Sequence, residues 1–509
     1  LVRNDSFNWN TTLNEAMDKT GGNASFVVSA GDQIQTTKKK SPGKSEMTSE
    51  IEYTGYLSPD VLKSLPVATT VGNHDADNAN YTYHFNTPNS SDLGSNGVVG
   101  GDYYFTYGNT LFMMLNTQDT NAAEHKQFME QAIAANPNCT WRVVTLHQDI
   151  YGSAEHSNEP EITNLRYTLV PYFEANDVDV VLTGHDHAYS RTHILEGGHK
   201  TVEYTDDEFD AELDKDMDAG ENPATRYEAP ANISADSKEP ADVAYLNYLN
   251  AVMDKDAVED TEKGETVVNP DGILYMTANS SSGSKYYDLV PRMQSYIANR
   301  WQEDVPTYSV IDVTDNTFTI NTYRTDNDQK IDETFTIKKG VTEDIKSASV
   351  GKVKNQIYTG KQIQLALKVT LNGKTLKAGK DYTVTYTDNK NTGLAKATIN
   401  GIGKYTGTQT VTFKIVPKKA VLKTVKAGKS GTATVTIGKA GGKVSGYAIQ
   451  VSTDSSFKKV TTYRTAKTTY TLKNLSKGKT YYVRVKAFTK VSDKNVYGAA
   501  SKTIKVKAK

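Results

Sequence analysis

The 509-residue sequence contains a single cysteine, Cys139, so no disulfide bond can form within the chain. This excludes a small scaffold held together by disulfides, but it says little about export because many surface proteins fold without them. The sequence also has no run of 18 or more apolar residues, which excludes a membrane-spanning helix within these residues. It begins at Leu1 without a charged and then apolar leader, and we expect that a signal segment has been removed or that the start is truncated.

Acidic and basic residues are unevenly divided between the first part of the chain, residues 1–344, and the second, residues 345–509. Residues 345–509 contain 34 Lys plus Arg but only 4 Asp plus Glu. Subtraction from the totals of 58 and 60 leaves 24 basic and 56 acidic residues in 1–344, so the two formal net charges are −32 and +30. Such a division predicts separate domains with different partners.

Four short polar segments each follow an apolar run, at residues 26–28, 67–71, 143–146 and 178–182. The polar segments are Gly31-Asp32, Gly72-Asn73-His74-Asp75, His147 and Gly184-His185-Asp186-His187. The apolar runs predict four buried strands, and open α/β sheets place their chemistry at the edge where such strands end. We therefore expect the polar side chains to converge at one sheet edge.

The residue types in these segments are typical of a site for two metal ions. Asp32, the one acidic residue of its segment, is suited to bridging both ions. Asn73 offers an amide oxygen, and His147, His185 and His187 offer imidazole nitrogens. This mixed set favours Fe, Mn or Zn over Mg or Ca alone. Two such ions, about 3.5–4 Å apart, bind ester oxygens and activate water, which is what phosphate ester hydrolysis requires.

With these segments in this order, the chain resembles the metallophosphoesterase superfamily, and within it the calcineurin-like, purple acid phosphatase-like branch. The branch carries Gly-Asp-x-x-Tyr, Gly-Asn-His-Glu/Asp, a histidine at a strand end and Gly-His-x-His-Ala-Tyr; residues 184–191 read GHDHAYSR. The resemblance covers roughly residues 1–335 and implies an α/β four-layer sandwich, with two β-sheets flanked by helices. It implies that Asp32 bridges the metal ions, that His187 serves one ion, and that the other is held by Asn73, His147 and His185.

The resemblance assigns further roles to neighbouring residues. His74 is expected to face the substrate rather than bind metal. His156, nine residues after His147, corresponds to a histidine near the leaving group, where a general acid contributes roughly 10²–10⁴-fold to the rate; the alternative is an exposed loop histidine. Asp75 is expected to orient His74 or a metal ligand from behind.

Two departures from the branch pattern limit what the resemblance implies. Gln35 stands where the branch has the tyrosine that binds ferric iron, so a purple colour is not expected and the metal pair stays open. An Asp-x-Gly cluster, which should precede Asp32, is absent. We expect that the chain starts just after that cluster, that these residues bind the metal on the His187 side weakly, and that the complete gene product is active.

The sequence predicts three domains. The phosphoesterase domain covers residues 1–340, with an acidic insertion at about 200–268 that is either a solvated, partly helical segment or a calcium-binding or lid segment. Two all-β sandwich modules follow. Residues 345–417 resemble Ig-like repeats of Gram-positive surface proteins. Residues 418–509 resemble fibronectin type III, in which a tyrosine near strand F ties a corner.

These features together predict a secreted or cell-surface bacterial protein, from a Gram-positive organism. Its expected function is metal-dependent hydrolysis of phosphate esters by a metal-bridging hydroxide, with phosphomonoesters favoured over diesters. The basic modules are expected to bind an anionic cell-wall polymer or glycan, or to act as a lysine-rich spacer; no motif for specific nucleic acid recognition appears. The alternative is a non-catalytic surface adhesion protein with a degenerate phosphatase fold.

Overall fold

The computed structural model describes residues 6–36, 45–77, 79–198, 205, 207–208, 211–212, 234, 236–254, 257–260, 266–290 and 293–509. The chain divides into two compact units, residues 1–339 and 340–509. Among the described helices, none is long and apolar enough to cross a membrane.

The first unit alternates helices and strands over its first 195 residues and is then mostly β. Its helices are α1 (Ser6–Lys19), α2 (Ser45–Tyr56), α3 (Asn80–His84), α4 (Ala122–Ala135), α5 (Pro160–Ala175) and α6 (Pro240–Met253). Its strands are β1 (Val27–Ser29), β2 (Val67–Thr69), β3 (Tyr103–Tyr107), β4 (Thr110–Met114), β5 (Trp141–Thr145), β6 (Val180–Thr183), β7 (Tyr189–Leu195), β8 (Val258–Asp260), β9 (Thr266–Val268), β10 (Ile273–Thr277), β11 (Ile297–Trp301), β12 (Thr307–Val313), β13 (Thr317–Arg324) and β14 (Phe335–Lys338).

Two large sheets form the centre of this unit. The larger has eight strands in the order β11-β7-β10-β6-β5-β4-β3, with β8 paired to β7; the smaller has the order β12-β13-β14-β9. Strands β4, β5, β6 and β10 are parallel to one another. Nearly every residue of β4, β5 and β6 is buried, as expected for parallel strands that are covered on both faces.

Two apolar cores explain the layering. On one face of the larger sheet, Val144 and Val181 pack with Phe128 of α4 and Phe173 of α5. On the other face, buried residues of the larger sheet join buried residues of the smaller one: Trp141, Val143, Val180, Leu182, Phe318, Ile320, Phe335 and Ile337. The predicted α/β fold with two sheets and flanking helices is therefore confirmed.

One detail of the strand prediction is wrong. Strands β1 and β2 do not join the larger sheet; they form a separate parallel pair, with Val27 opposite Val67. Strand β1 is only partly buried. Hydrogen bonds nevertheless tie the strand ends together, because Gly184 N–H donates to the His147 carbonyl at 3.0 Å and Thr70 Oγ1 donates to the Leu115 carbonyl at 2.6 Å.

Only part of the acidic insertion lies within the described residues. Helix α6 packs through Tyr245, Leu249 and Val252 against Val290. Strand β8 then adds to the edge of the larger sheet by pairing with β7. Most of residues 199–235 lie outside the described residues, and with them the choice between a solvated segment and a calcium-binding or lid segment.

The second unit is built mainly of β-strands. These are β15 (Glu343–Asp344), β16 (Ser349–Val350), β17 (Gln356–Ile357), β18 (Val369–Leu371), β19 (Lys374–Leu376), β20 (Tyr382–Thr387), β21 (Gly393–Gly401), β22 (Tyr405–Thr406), β23 (Thr408–Val416), β24 (Val421–Ala427), β25 (Ala433–Gly438), β26 (Gly446–Ser452), β27 (Thr461–Thr465), β28 (Thr469–Leu472), β29 (Thr480–Val491), β30 (Lys494–Tyr497) and β31 (Ile504–Lys507).

The last part of this unit pairs a three-stranded sheet, β24-β25-β28, with a five-stranded sheet, β27-β26-β29-β30 with β31 beside β29. A single core that includes Val435, Ile449 and Val485 joins the two sheets. The hydroxyl of Tyr481 accepts a hydrogen bond from Ser476 N–H at 3.0 Å, which ties the corner that the sequence predicted.

A buried ion pair joins β7, which begins within the GHDHAYSR segment, to the loop between β13 and β14. Arg191 on β7 donates to Asp332 from Nε at 2.6 Å and from Nη2 at 3.1 Å, and Tyr189 donates to the same carboxylate at 2.7 Å. Burial raises the pKa of Asp332, but these partners outweigh it and hold the pKa below the ordinary value. The motif arginine and tyrosine therefore act in packing.

We expect Asp332→Ala to destabilise the first unit by about 3 kcal/mol, because it leaves the Arg191 guanidinium buried without its partner. All three tryptophans, Trp9, Trp141 and Trp301, lie in this unit, so tryptophan fluorescence during urea unfolding reports its stability.

The matched control for this experiment is Asp326→Ala. Asp326 also pairs with an arginine, Arg324, through two hydrogen bonds of 2.6 and 2.7 Å, but it is exposed to solvent. Its removal should shift the urea midpoint much less. Equal shifts for the two variants would show that burial of the Asp332 pair does not matter.

Candidate metal centre

Glycines at the strand ends let the predicted ligands approach one another. Gly31 has φ +89°, and a Cβ there would lie 2.4 Å from His147 Nδ1. A Cβ at Gly72 would lie 2.1 Å from Asp32 Oδ1. Both contacts are too short for any other residue, so the two motif glycines are required by close packing of the site itself.

Three of the predicted ligands have a backbone conformation that is uncommon outside glycine. Asp32 has φ +55°, His185 has φ +71° and His187 has φ +46°. Non-glycine residues in this region cost free energy and cluster at functional sites. Here each tight turn directs a polar side chain back toward the end of the strand that precedes it.

His147 is at the centre of the arrangement. Its Nδ1 lies 2.8 Å from the carbonyl oxygen of Ala30, which can only accept a hydrogen bond, so Nδ1 carries a hydrogen. Its Nε2 lies close to three other atoms that can bind a metal ion: Asn73 Oδ1 at 3.0 Å, His185 Nδ1 at 3.1 Å and Asp32 Oδ2 at 3.4 Å. The site thus gathers two oxygens and two nitrogens around one point.

This donor set fits a metal ion. In the neutral imidazole with hydrogen on Nδ1, Nε2 of His147 has only a lone pair, and it faces two oxygens that also accept. A cation between them removes that repulsion. Ligand bonds of about 2.1 Å in tetrahedral geometry place donor atoms about 3.4 Å apart. The three spacings to Nε2 are similar, at 3.0–3.4 Å, whereas the donor atoms of Asp32, His147 and His185 do not all lie within 4.8 Å of one another.

The charge state of the residues also suits metal binding. Burial opposes ionisation of Asp32, but His147 and His74 outweigh it and hold the Asp32 pKa well below its ordinary value. Burial, with a contribution from His147, lowers the pKa of His185 to about 3, which keeps its ring neutral. Burial would lower the pKa of His147 as well, but the Asp32 charge raises it, so a proton competes with a metal ion for Nε2.

A different group is more compact than this one. Within the described ranges, one set of three carboxylates, Glu196, Glu259 and Asp271, has ligand atoms that all lie within 4.8 Å of one another. In that set Glu259 accepts hydrogen bonds from the backbone N–H groups of Asp271 and Gly272, so it fixes a loop. The donors around His147 are each close to Nε2, but they do not all lie within 4.8 Å of one another.

His187, which the sequence assigns to a second ion, is a largely buried residue whose pKa is influenced by Asp32 and His147. Its Nδ1 lies 3.0 Å from the carbonyl oxygen of Lys285, so Nδ1 carries a hydrogen and Nε2 is the ligand atom. Burial is the main cause that lowers the pKa of His187 to about 3. The charge of Asp32 raises this pKa and that of His147 lowers it. Gln302 holds the backbone carbonyl of His187 at 2.7 Å.

His74 and Asp75 take positions that the sequence only partly predicts. His74 is oriented by the Gln35 carbonyl oxygen, 2.6 Å from its Nδ1, and its Nε2 lies 3.9 Å from Asp32 Oδ2. Asp75 instead accepts from Gly72 N–H at 3.0 Å and from the Tyr53 hydroxyl at 2.9 Å. Burial, together with the Asp32 charge, raises the pKa of Asp75 to about 7.

His156 lies beside the His147 group, with its ring centroid 5.8 Å from that of His185. Its backbone N–H donates to Asp186 Oδ1 at 3.0 Å, and its Nδ1 lies 2.5 Å from Glu159 Oε1. The Glu159 carboxylate raises the pKa of His156, against burial. The side chain is 28% exposed, and the assignment of His156 to the leaving group, like the alternative of an exposed loop histidine, stays a prediction.

Sequence reasoning missed two functional neighbours of the histidines. Glu159 stands immediately before Pro160, the first residue of α5, and a carboxylate at a helix start three residues from His156 was a usable signal. Tyr287 packs against His156 with ring centroids 4.4 Å apart, but it lies more than a hundred residues further along the chain. No local pattern connects these two positions.

Comparison with known proteins finds two family matches in this chain. Residues 7–189 match the family described as Calcineurin-like phosphoesterase, and residues 422–503 match Fibronectin type III domain. An uncharacterized protein of Mycobacterium tuberculosis is 26% identical over 156 residues, covering 26% of this chain and 29% of that protein. Serine/threonine-protein phosphatase CPPED1 of Pongo abelii is 26% identical over 189 residues, covering 34% of this chain and 56% of that protein.

The chain thus spans between about three tenths and somewhat over half of the length of these relatives. Among solved structures, purple acid phosphatase PPD1 from yellow lupin is 14% identical, with a TM-score of 0.38, and covers 65% of this chain and 49% of its own. An Fn3-like protein from Clostridium thermocellum is 25% identical, with a TM-score of 0.15, and covers 18% and 91%. This chain contains a calcineurin-like metallophosphoesterase domain and a C-terminal fibronectin type III domain.

Proposed function

We propose that this chain is a metal-dependent phosphoesterase with a dinuclear centre. The observation that carries the proposal is the convergence of Asp32, Asn73 and His185 donor atoms on His147 Nε2 at 3.0–3.4 Å. These four residues would hold one ion, and His187 and the bridging Asp32 would serve a second. The nitrogen and oxygen donors favour Fe, Mn or Zn.

When bound, such ions supply Lewis acidity that polarises the ester and lowers the pKa of water. The chain's own residues do the rest. Ala30 and Lys285 fix the tautomers of His147 and His187 through their carbonyl oxygens. His74, held by the Gln35 carbonyl, lies beside Asp32 and is the residue that we assign to contact with the phosphate.

Proton transfer to the leaving group is the role we assign to His156. Glu159 accepts from Nδ1, so the imidazolium form is favoured and Nε2 carries the proton that would be donated. Phosphomonoesters are the proposed substrates, because one relative is named a serine/threonine-protein phosphatase and phosphoserine and phosphothreonine are phosphate monoesters.

The basic unit supports a second part of the proposal, attachment at the cell surface. With 34 basic and 4 acidic residues in 345–509, this part of the chain attracts polyanions. We assign it to an anionic wall polymer or glycan of the bacterial surface, with the enzyme secreted or displayed there.

His147→Ala should abolish hydrolysis of p-nitrophenyl phosphate in the presence of Mn²⁺, Zn²⁺ or Fe²⁺, because it removes the donor at the centre of the set. The control is His193→Ala, a partly exposed histidine on β7, which should retain activity. If the wild-type chain shows no turnover with any of these metals even when an Asp-x-Gly strand is added upstream of Leu1, the adhesion alternative is favoured; if His147→Ala stays active, the proposed centre is wrong.

Glu159→Gln should lower the pH above which activity declines. Glu159 raises the pKa of His156, so His156 stays protonated to higher pH when the carboxylate is present, and a general acid loses activity as pH rises through its pKa. The loss at neutral pH should be larger for alkyl phosphates than for p-nitrophenyl phosphate, whose leaving group needs no proton.

The control for that pH profile is Glu155→Gln, which removes a neighbouring exposed carboxylate that contributes least to the His156 shift. Its profile should stay close to that of the wild type. Identical basic limbs for Glu159→Gln and the wild type would remove His156 from the role of general acid.

Binding of the full chain to purified wall teichoic acid should weaken steeply as NaCl rises from 50 to 500 mM, because exposed charges are screened at short range in high salt. A sedimentation assay with isolated cell walls measures this. Retention that is insensitive to salt, or absent at 50 mM, would leave the basic unit as a spacer.

A further inference from the structure

One short segment, residues 285–290, connects two sides of the proposed site. At its start, the Lys285 carbonyl oxygen accepts from His187 Nδ1 at 3.0 Å. At its end, Val290 N–H donates to the Ser153 carbonyl at 3.2 Å, in the loop that leads to His156. The segment is therefore fixed at both ends by the elements that carry the two histidines.

Tyr287 stands in the middle of this segment and lies between the two histidines. Its ring is perpendicular to that of His156, at 88° with centroids 4.4 Å apart. The His187 ring lies 5.1 Å away at 39°. In the proposed reaction the leaving group must lie near His156, which is its proton donor, so it must also lie near Tyr287.

Lys285 presents a positive charge at the same place. Its Nζ lies 4.1 Å from the centre of the Tyr287 ring and donates a hydrogen bond to the Tyr287 hydroxyl. The side chain is exposed to solvent. Residues 1–344 contain 56 acidic and 24 basic residues, so Lys285 is a positive charge within an acidic part of the chain. It would attract an anion that the surrounding domain otherwise repels.

We propose that Tyr287 and Lys285 form the leaving-group side of the site and select phosphate esters whose leaving group itself carries an anionic group. This inference rests on the proposed function, because it uses the assignment of His156 to the leaving group. Tyr287 supplies the wall that positions the leaving group, and Lys285 supplies the charge that recognises its anion. Tyr287 also holds the Lys285 ammonium in place.

The experiment compares two esters that differ in one carboxylate, phenyl phosphate and 4-carboxyphenyl phosphate. The measured quantity is the ratio of their kcat/KM values, determined on the whole 509-residue chain with Mn²⁺. We expect the wild type to prefer the carboxylated ester, and Lys285→Met to reduce that preference about fivefold, the effect of losing one partly exposed charge contact. Tyr287→Ala should reduce kcat/KM for both esters about tenfold and the preference as well.

Two matched controls separate this role from general effects. Lys126→Met removes another lysine that lies over a tyrosine ring, Tyr172, on the surface away from the histidines. Tyr286→Ala removes the neighbouring tyrosine, whose hydroxyl lies beside Gly283. Both variants should keep the wild-type ratio.

Binding gives a readout that does not depend on turnover. Titration calorimetry with phenylphosphonate and 4-carboxyphenylphosphonate measures the same preference as a ratio of Kd values. A ratio that falls in Lys285→Met but not in Lys126→Met supports the inference. An unchanged ratio in Lys285→Met, in both kinetics and binding, overturns it.

Failure of the proposed function has a different signature. A wild-type protein that hydrolyses neither ester contradicts the enzyme assignment. The Kd values of the two phosphonates then test the inference on their own. A preference for 4-carboxyphenylphosphonate that depends on Lys285 supports anion recognition by Lys285, and equal affinities for the two phosphonates refute it.

Discussion

The hydrogen bond from His147 Nδ1 to the Ala30 carbonyl is the constraint on which the proposed site depends. It fixes the tautomer, so the Nε2 lone pair points into a space already occupied by oxygens of Asp32 and Asn73. Such an arrangement is unfavourable unless a metal ion or a proton lies between Nε2 and these oxygens. The glycines at Gly31 and Gly72 exist at this point because any side chain there would overlap His147 or Asp32. The glycines of the motif thus allow electronegative atoms that repel one another to pack closely.

The rest of the first unit holds this arrangement in place. Parallel strands β5 and β6 end side by side, and the Gly184 N–H to His147 carbonyl bond links their following turns. Further along the chain, residues 285–290 brace His187 and the His156 loop. Val290 of that segment packs against helix α6 of the acidic insertion, so the insertion supports the substrate side of the site through an apolar contact.

Much of this could be predicted from sequence because the signals are local. Each ligand follows an apolar run within a few residues, and the glycines next to Asp32 and Asn73 mark the tight turns. What could not be predicted depends on tertiary contacts. The separate pairing of β1 with β2 follows from their mutual register, which no periodicity encodes. Tyr287 reaches His156 only because β10 returns beside β6 and brings its following loop to the same edge.

The most direct test of the metal centre is an anomalous diffraction map from crystals of the protein soaked in Mn²⁺. The account predicts a strong peak among the side chains of Asp32, Asn73, His147 and His185, with a weaker second peak beside His187. A map with no peak near His147, or with manganese bound at Glu196, Glu259 and Asp271 in its place, would contradict the account.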